Sequence, residues 1–135
     1  ARDMPTTPSD TARALHRALE SGTQGEALRA HFTVAATTVE RPNRLKPAGA
    51  TATLEQMIDA SSAGAQMLNW QRYDELSMLE AGSTVAVRCT WTGEIANDIG
   101  PFKAGQVLTA HIAQFIEVRD GKVASIETYD CYEPF

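Results

Sequence analysis

His111 and Asp130 are the residues of this sequence best suited to chemistry. A neighbouring carboxylate raises an imidazole's affinity for a proton, and burial of the ring opposes that rise. The balance can hold a general base near neutrality, the range useful for removing a proton next to a carbonyl. A hairpin would bring the pair together. Gln106–Val118 and Lys122–Tyr132 alternate as strands on either side of Asp120-Gly121, and Asp-Gly suits a type I′ turn, whose central residues both need φ > 0. A two-residue turn pairs Arg119 with Lys122. Counting back in register, His111 faces Asp130, Ala113 faces Thr128 and Phe115 faces Ile126. The same pairing also fits a structural His–Asp hydrogen bond, or a pocket wall that does no chemistry.

Other residues join this candidate pair. His16 sits on the apolar stripe Ala12, Leu15, His16, Leu19 of a first helix capped by Ser9 or Asp10. It can orient a substrate oxygen or simply fill the core. Whichever of Glu40 and Arg41 points inward can hold an anionic or enolate oxygen, since the guanidinium fork suits carboxylates. The alternative for either is a salt bridge at the rim. Trp91 can stack on a flat ligand or pack as core. Tyr73 and Met57 are core residues on the simplest reading and complete the pocket-lining candidates with Ala113, Phe115 and Thr128.

The elements that must position these groups are legible in outline. Residues 1–8 read as a flexible lead and 9–135 as one domain. A short helix follows around Glu26–Phe32, then a brief strand at Thr37-Thr38-Val39 that Pro42 halts. Thr53 and Gln56 form a capping box for a third helix carrying Leu54, Met57, Ile58, Ala65 and Leu68 on one face. From Trp70 the period changes to two, through Trp70–Leu79 and Thr84–Ile95, where Val85, Val87, Cys89 and Trp91 alternate with polar neighbours. Gly100-Pro101 shapes the loop before the hairpin. Helices followed by long antiparallel strands predict an α+β fold, three N-terminal helices packed on a curved sheet as a cone that can hold a small molecule.

Composition narrows the partners. A formal charge of −5 with no Lys/Arg cluster argues against nucleic acid. No apolar run reaches membrane-spanning length, and residues 1–8 lack the apolar stretch of a signal peptide. Cys89 and Cys131 read as free thiols on separated strands, with no metal-ligand spacing around them. Reducing cytoplasm is the default expectation, without metal or cofactor.

Several segments carry a likeness to a known superfamily: Glu26-Ala27-Leu28, Phe32, Thr38-Val39-Glu40-Arg41-Pro42, Glu80 through Val87, Phe115–Ile126 and the closing Tyr129 through Phe135. From about residue 10 onward the chain resembles the nuclear transport factor 2-like superfamily, in particular its SnoaL-like and ketosteroid-isomerase-like proteins. The resemblance implies the cone-shaped α+β barrel, and comparison with the isomerase pocket implies that the His111 face lies inside. Three isomerase groups are replaced: the base carboxylate falls at Arg41, the first-helix tyrosine at His16 and the second oxyanion donor at Ala113. Standard ketosteroid isomerisation is therefore not implied. SnoaL-like cyclases use an aspartate of the last strand with a nearby histidine, which Asp130 and His111 resemble. The Asp-Arg-Asp set of limonene epoxide hydrolases has no counterpart.

Three functions compete. The first is a cofactor-independent cyclase, isomerase or dehydratase acting on a small hydrophobic carbonyl compound, with Asp130 and His111 moving the proton. The second is a module that binds a small hydrophobic molecule without chemistry. The third is an association domain. The second apolar sheet face, with Ala110, Ile112, Gln114 and Ile116, predicts a homodimer through the outer side of the sheet.

Overall fold

The computed structural model describes residues 6–135. Helix α1 spans Pro8–Glu20, and a 3₁₀ segment covers Gly25–His31. Then come β1 (Phe32–Glu40), β2 (Ala50–Thr53), α2 (Leu54–Gln66), β3 (Leu68–Ala81), β4 (Thr84–Ile95), β5 (Val107–Arg119) and β6 (Lys122–Tyr132). The strands form one six-stranded sheet in the order β2-β1-β6-β5-β4-β3. All neighbours are antiparallel except β1 and β6, which run parallel. The expected lead at 1–8 lies largely outside the described residues. Where it enters them, Thr7 caps α1 through a capping box with Asp10, so the helix starts earlier than Ser9.

Local chemistry explains most boundaries. Thr53 accepts from the Gln56 backbone N–H while the Gln56 side chain accepts from Thr53, and α2 begins there. Asp120 and Gly121 both have positive φ, 52° and 72°, as a type I′ turn requires. Strand extends beyond the expected bounds: β3 runs over Leu68–Ala81 and takes Leu68 from the expected third helix, which ends at Gln66. The brief strand at 37–39 is the nine-residue β1, and the presumed loop over 42–52 closes with β2.

The register of the hairpin differs from simple counting. Arg119 pairs Lys122 and Val118 pairs Val123, but Glu117 then pairs Ser125. Ala124 is an extra residue, a β-bulge, and beyond it every partner slips by one. His111 therefore pairs Cys131, and Asp130 pairs Ile112. The physical reason lies in burial. Val123 is fully buried, and Ile126 packs against the same core. Residues three apart share a face only if the strand bulges between them. A second bulge in β3, between Glu75 and Ser77, lets Tyr73 and Met78 both face inward.

The main core gathers Ala12 and Leu15 of α1, Leu28, Phe32 and Ala36, Leu54 and Ile58 of α2, and Val85, Val87, Ile116, Val118 and Val123 of the sheet. Each such Val or Ile contributes about 1.5–3 kcal/mol by leaving water. Toward the other end lie Cys89, Ala110 and Ile112, with Tyr73, Trp91 and Tyr132 packed on them. Phe102 covers Ile95 and Leu108 and meets the Phe135 ring at 4.9 Å. No helix among the described residues is long and apolar enough to cross a membrane.

Candidate functional site

The inner face of the sheet carries a row of polar side chains between these two apolar regions. On β5, Gln114 separates Ile116 from Ile112; on β6, Thr128 separates Ile126 from Asp130. Helix α1 supplies His16, which packs beside Leu15 and is 3 % exposed. His16 Nε2 lies 2.9 Å from Gln114 Oε1. Gln114 Nε2 donates to Thr128 Oγ1 at 3.3 Å, and Thr128 Oγ1 donates to Asp130 Oδ1 at 2.6 Å. Four side chains from three elements thus form one connected line ending in a carboxylate.

Packing holds the line in place. The His16 ring stacks on Tyr73, with centroids 4.4 Å apart and planes 8° from parallel. Tyr73 is itself clamped to α1: its N–H donates to Glu20 at 2.6 Å, and Arg17 donates to its carbonyl at 2.7 Å. Trp91 Nε1 donates to Gln71 Oε1 at 2.9 Å, and its ring meets Tyr132 edge-on at 6.3 Å. Gly93 makes room for this indole, since a Cβ there would come within 2.6 Å of the ring.

Burial dominates the electrostatics. It lowers the proton affinity of His16, outweighing the hydrogen bond to Gln114 that favours the charged ring. Asp130 is raised above the usual carboxylate range, first by burial and then by the charge of Glu40, against the Thr128 hydrogen bond and Lys46. Burial likewise raises the phenols of Tyr73 and Tyr132, so both stay protonated, and pushes the Cys89 thiol up to about 11. Glu40 pairs in register with Thr128 and binds Asn43 Nδ2 at 2.7 Å and Lys46 Nζ at 3.3 Å.

Several expected site residues lie elsewhere. His111 is on the outer face, where its Nε2 meets Glu133 at 2.8 Å, so no His111–Asp130 pair forms. Ala113 and Phe115 share that outer face, because Leu108, Ala110, Ile112, Ile116 and Val118 are the buried set of β5. Arg41 is also outside, with Nε donating to Glu127 at 2.8 Å, and hydrogen bonding from Arg41 holds that carboxyl below the usual range. Glu40 is the member of its pair that turns inward. Asp130, Thr128, His16, Tyr73 and Trp91 all lie on the inner side. Met57 lines an apolar cavity of about 270 Å³ between α1, the 3₁₀ segment and α2, with Phe32 and Ile126 as its contribution from the sheet. The one hydroxyl there, Ser61, is engaged with the Gly25 N–H and the Ile58 carbonyl. Gln114 is the residue that sequence reasoning passed over. Its signal was being the single polar member of an otherwise apolar alternate set on β5.

Among the described residues no cluster of His, Cys, Asp or Glu is arranged to hold a metal. Cys89 is buried and Cys131 exposed, both as free thiols.

No known family profile matches the chain, and no curated relative matches it by sequence. Solved structures do match its shape. IdmH from Streptomyces antibioticus, a candidate polyketide cyclase, superposes with a TM-score of 0.73 at 21 % identity over 91 % of each chain. A Catenulispora acidiphila protein with a ketosteroid-isomerase-like fold, solved with trimethylamine, gives 0.71 at 23 % identity over 92 % of this chain and 86 % of that one. A candidate SnoaL-like polyketide cyclase from Jannaschia gives 0.72 at 15 % identity over 96 % and 90 %. The chain therefore has the nuclear transport factor 2-like cone fold, in the form found in SnoaL-like and ketosteroid-isomerase-like proteins.

Proposed function

We propose that this protein is a cofactor-independent proton-transfer enzyme of the cyclase, isomerase or dehydratase kind, acting on a small hydrophobic carbonyl compound. Asp130 takes and returns the proton. The observation that carries this reading is the half-buried Asp130 carboxylate on the inner sheet face, its proton affinity raised, at the end of a polar row that runs between two apolar clusters. A carboxylate destabilised by burial is a stronger base toward an α-carbon proton than one in water. The electron pair left by that proton becomes an enolate, whose oxygen needs a donor. Tyr132, two residues along the same strand face and kept protonated, supplies one. Reprotonation, attack on a second carbonyl or loss of a leaving group then distinguishes isomerase, cyclase and dehydratase. Aromatic and aliphatic surroundings favour an apolar substrate.

Deuterium incorporation from D₂O into 2-tetralone, followed by NMR, tests the reading. The protein is expected to accelerate exchange over buffer, and Asp130→Asn to lose about 10²- to 10⁴-fold of that acceleration. Exchange at the buffer rate, or an Asn variant as fast as the parent, overturns it. A protein that binds the ketone equally well before and after the substitution, without exchange, is a binding module.

A second reading concerns assembly and is compatible with the first. The outer sheet face exposes Phe115, Tyr129 and Leu79, at 46 %, 42 % and 68 %. Phe115 and Tyr129 meet edge to face at 6.1 Å. We propose that a second copy of the chain covers this face, the self-matching arrangement of a two-fold dimer.

A further inference from the structure

The hydrogen-bond line from α1 to β6 has a direction that its chemistry fixes. An ionised carboxylate only accepts, so the Thr128 hydroxyl spends its single proton on Asp130 Oδ1, 2.6 Å away. Thr128 Oγ1 must then accept from Gln114, which sets the Gln114 Nε2 group toward it at 3.3 Å. That leaves Gln114 Oε1 turned to His16 Nε2 at 2.9 Å, as an acceptor that requires a proton on the ring nitrogen. Every donor points toward Asp130.

We propose that Gln114 is a positioning residue: it passes donation from the buried His16 N–H through the Thr128 hydroxyl onto Asp130 Oδ1, leaving Oδ2 as the oxygen that exchanges a proton with substrate. The proposal rests on Asp130 being the acid/base group, although the coupling itself belongs to the resting protein. Polarised in series, the three hydrogen bonds support the ionised carboxylate against its burial. They also fix its plane, since a carboxylate tethered at one oxygen and by its own backbone presents the other oxygen in one direction. Neutral His16, kept so by burial and held in place by stacking on Tyr73, suits the end of such a line, because a neutral ring presents one N–H as donor.

Other groups act on Asp130 and must be held constant. Glu40 from β1 and Lys46 from the 41–49 loop are the charges that act on it. Tyr73 from β3, Cys89 from β4 and Tyr132 on β6 are the titratable neighbours that feel its charge. None of these is hydrogen-bonded to Gln114 or Thr128, and because Glu40 stands beside Thr128 in register, Gln114→Met is the substitution that leaves every one of these groups in place.

The test is a ¹³C NMR titration of the Asp130 carboxyl in the full chain, run beside the pH profile of 2-tetralone exchange. Gln114→Met keeps the length of the side chain and removes both its polar atoms. Thr128→Val removes the hydroxyl, and Thr128→Ser restores it. In Gln114→Met and Thr128→Val the carboxyl is expected to titrate at higher pH than in the parent, with Thr128→Ser returning to the parent value. The acid limb of the exchange profile should move with the carboxyl, and the rate should fall by about tenfold as the geometry loosens. A role confined to packing lowers the melting temperature without moving either titration. An Asp130 titration unchanged in Gln114→Met overturns the proposal. Should Gln114→Met fail to fold, His16→Phe removes the first donor of the line and must shift the carboxyl in the same direction. A carboxyl that moves as expected in a protein that exchanges no ketone protons refutes the catalytic reading alone. An unmoved carboxyl in an active protein refutes the positioning role alone.

Discussion

His16 lies flat against Tyr73, 4.4 Å between ring centroids, with its Nε2 committed to Gln114. Burial holds its proton affinity below the ordinary histidine value. The unfolded chain takes up that proton near its usual pKa of about 6.5, whereas the folded chain resists until lower pH. Between the two values the unfolded state binds more protons, so stability falls as pH drops through that window. Urea unfolding at a series of pH values from about 7.5 down to 5 should show this decline, at most ~1.4 kcal/mol per pH unit. His16→Leu should remove most of the slope. A variant with the parent's slope would falsify the burial account.

Asp130 has the opposite sign. Its folded proton affinity is raised, so between the unfolded carboxyl's pKa of about 3.8 and the higher folded value the native state holds the extra proton. Stability from this group is present at acid pH and lost as pH rises through the folded pKa. At pH 7 the ionised carboxylate is therefore a cost to the fold. Asp130→Asn keeps an acceptor for Thr128 and removes the charge, so calorimetry at pH 7 should show a melting temperature about 1–4 °C higher. At pH below the unfolded pKa the difference should vanish. A variant that melts lower at pH 7 would mean that the charge stabilises the fold.

The two ends of the hairpin explain how much could be read in advance. The turn at Asp120-Gly121 was legible because its requirement, positive φ at both positions, is local to two residues. So was the Thr53–Gln56 capping box, whose bonds span three residues. The bulge at Ala124 is decided by which residues the core buries. The odd spacing of Val123 and Ile126 encodes it, but only once both are known to face inward. That single inserted residue separated His111 from Asp130 and exchanged Ala113 for Gln114 on the inner face. The parallel pairing of β1 with β6 was out of reach for a different reason: nothing in Phe32–Glu40 specifies a partner so far along the chain. Asp130, Thr128 and Tyr132 share one face of β6, as their alternation predicts, because they lie on one side of the bulge, although their partners on β5 differ from those that counting gives.

Gly93 lets Trp91 lean along its own strand. A Cβ at 93 would stand 2.6 Å from the indole and 3.3 Å from Leu68. Gly93→Ala should push the ring off the Gln71 side chain that accepts its N–H and cost about 1–3 kcal/mol through overpacking. The tryptophan emission should shift as the ring changes surroundings. Trp91→Phe in the Gly93→Ala background should recover part of the lost stability, because the smaller ring no longer reaches position 93. A double-mutant cycle with no coupling would show that the two residues pack independently.

Cys131 reports on the outer face, and Cys89 is its internal control. Cys89 is buried with its thiol pushed up to about 11, whereas Cys131 is exposed on the face that carries Tyr129 and Phe115. A thiol-reactive disulfide reagent at pH 8 should modify Cys131 in the native protein and Cys89 only after unfolding. If a second copy covers this face, modification of Cys131 should slow as protein concentration rises. Sedimentation should show a dimer over the same range. Phe115→Glu places a charge in the middle of the apolar patch, and it should give a monomer whose Cys131 reacts quickly at every concentration. Because Phe115 lies on the far side of the sheet from Asp130, the Asp130 carboxyl should titrate in that monomer as it does in the parent. A parent protein that sediments as a monomer at micromolar concentration, with Cys131 reacting at one rate throughout, leaves the outer face without a second copy.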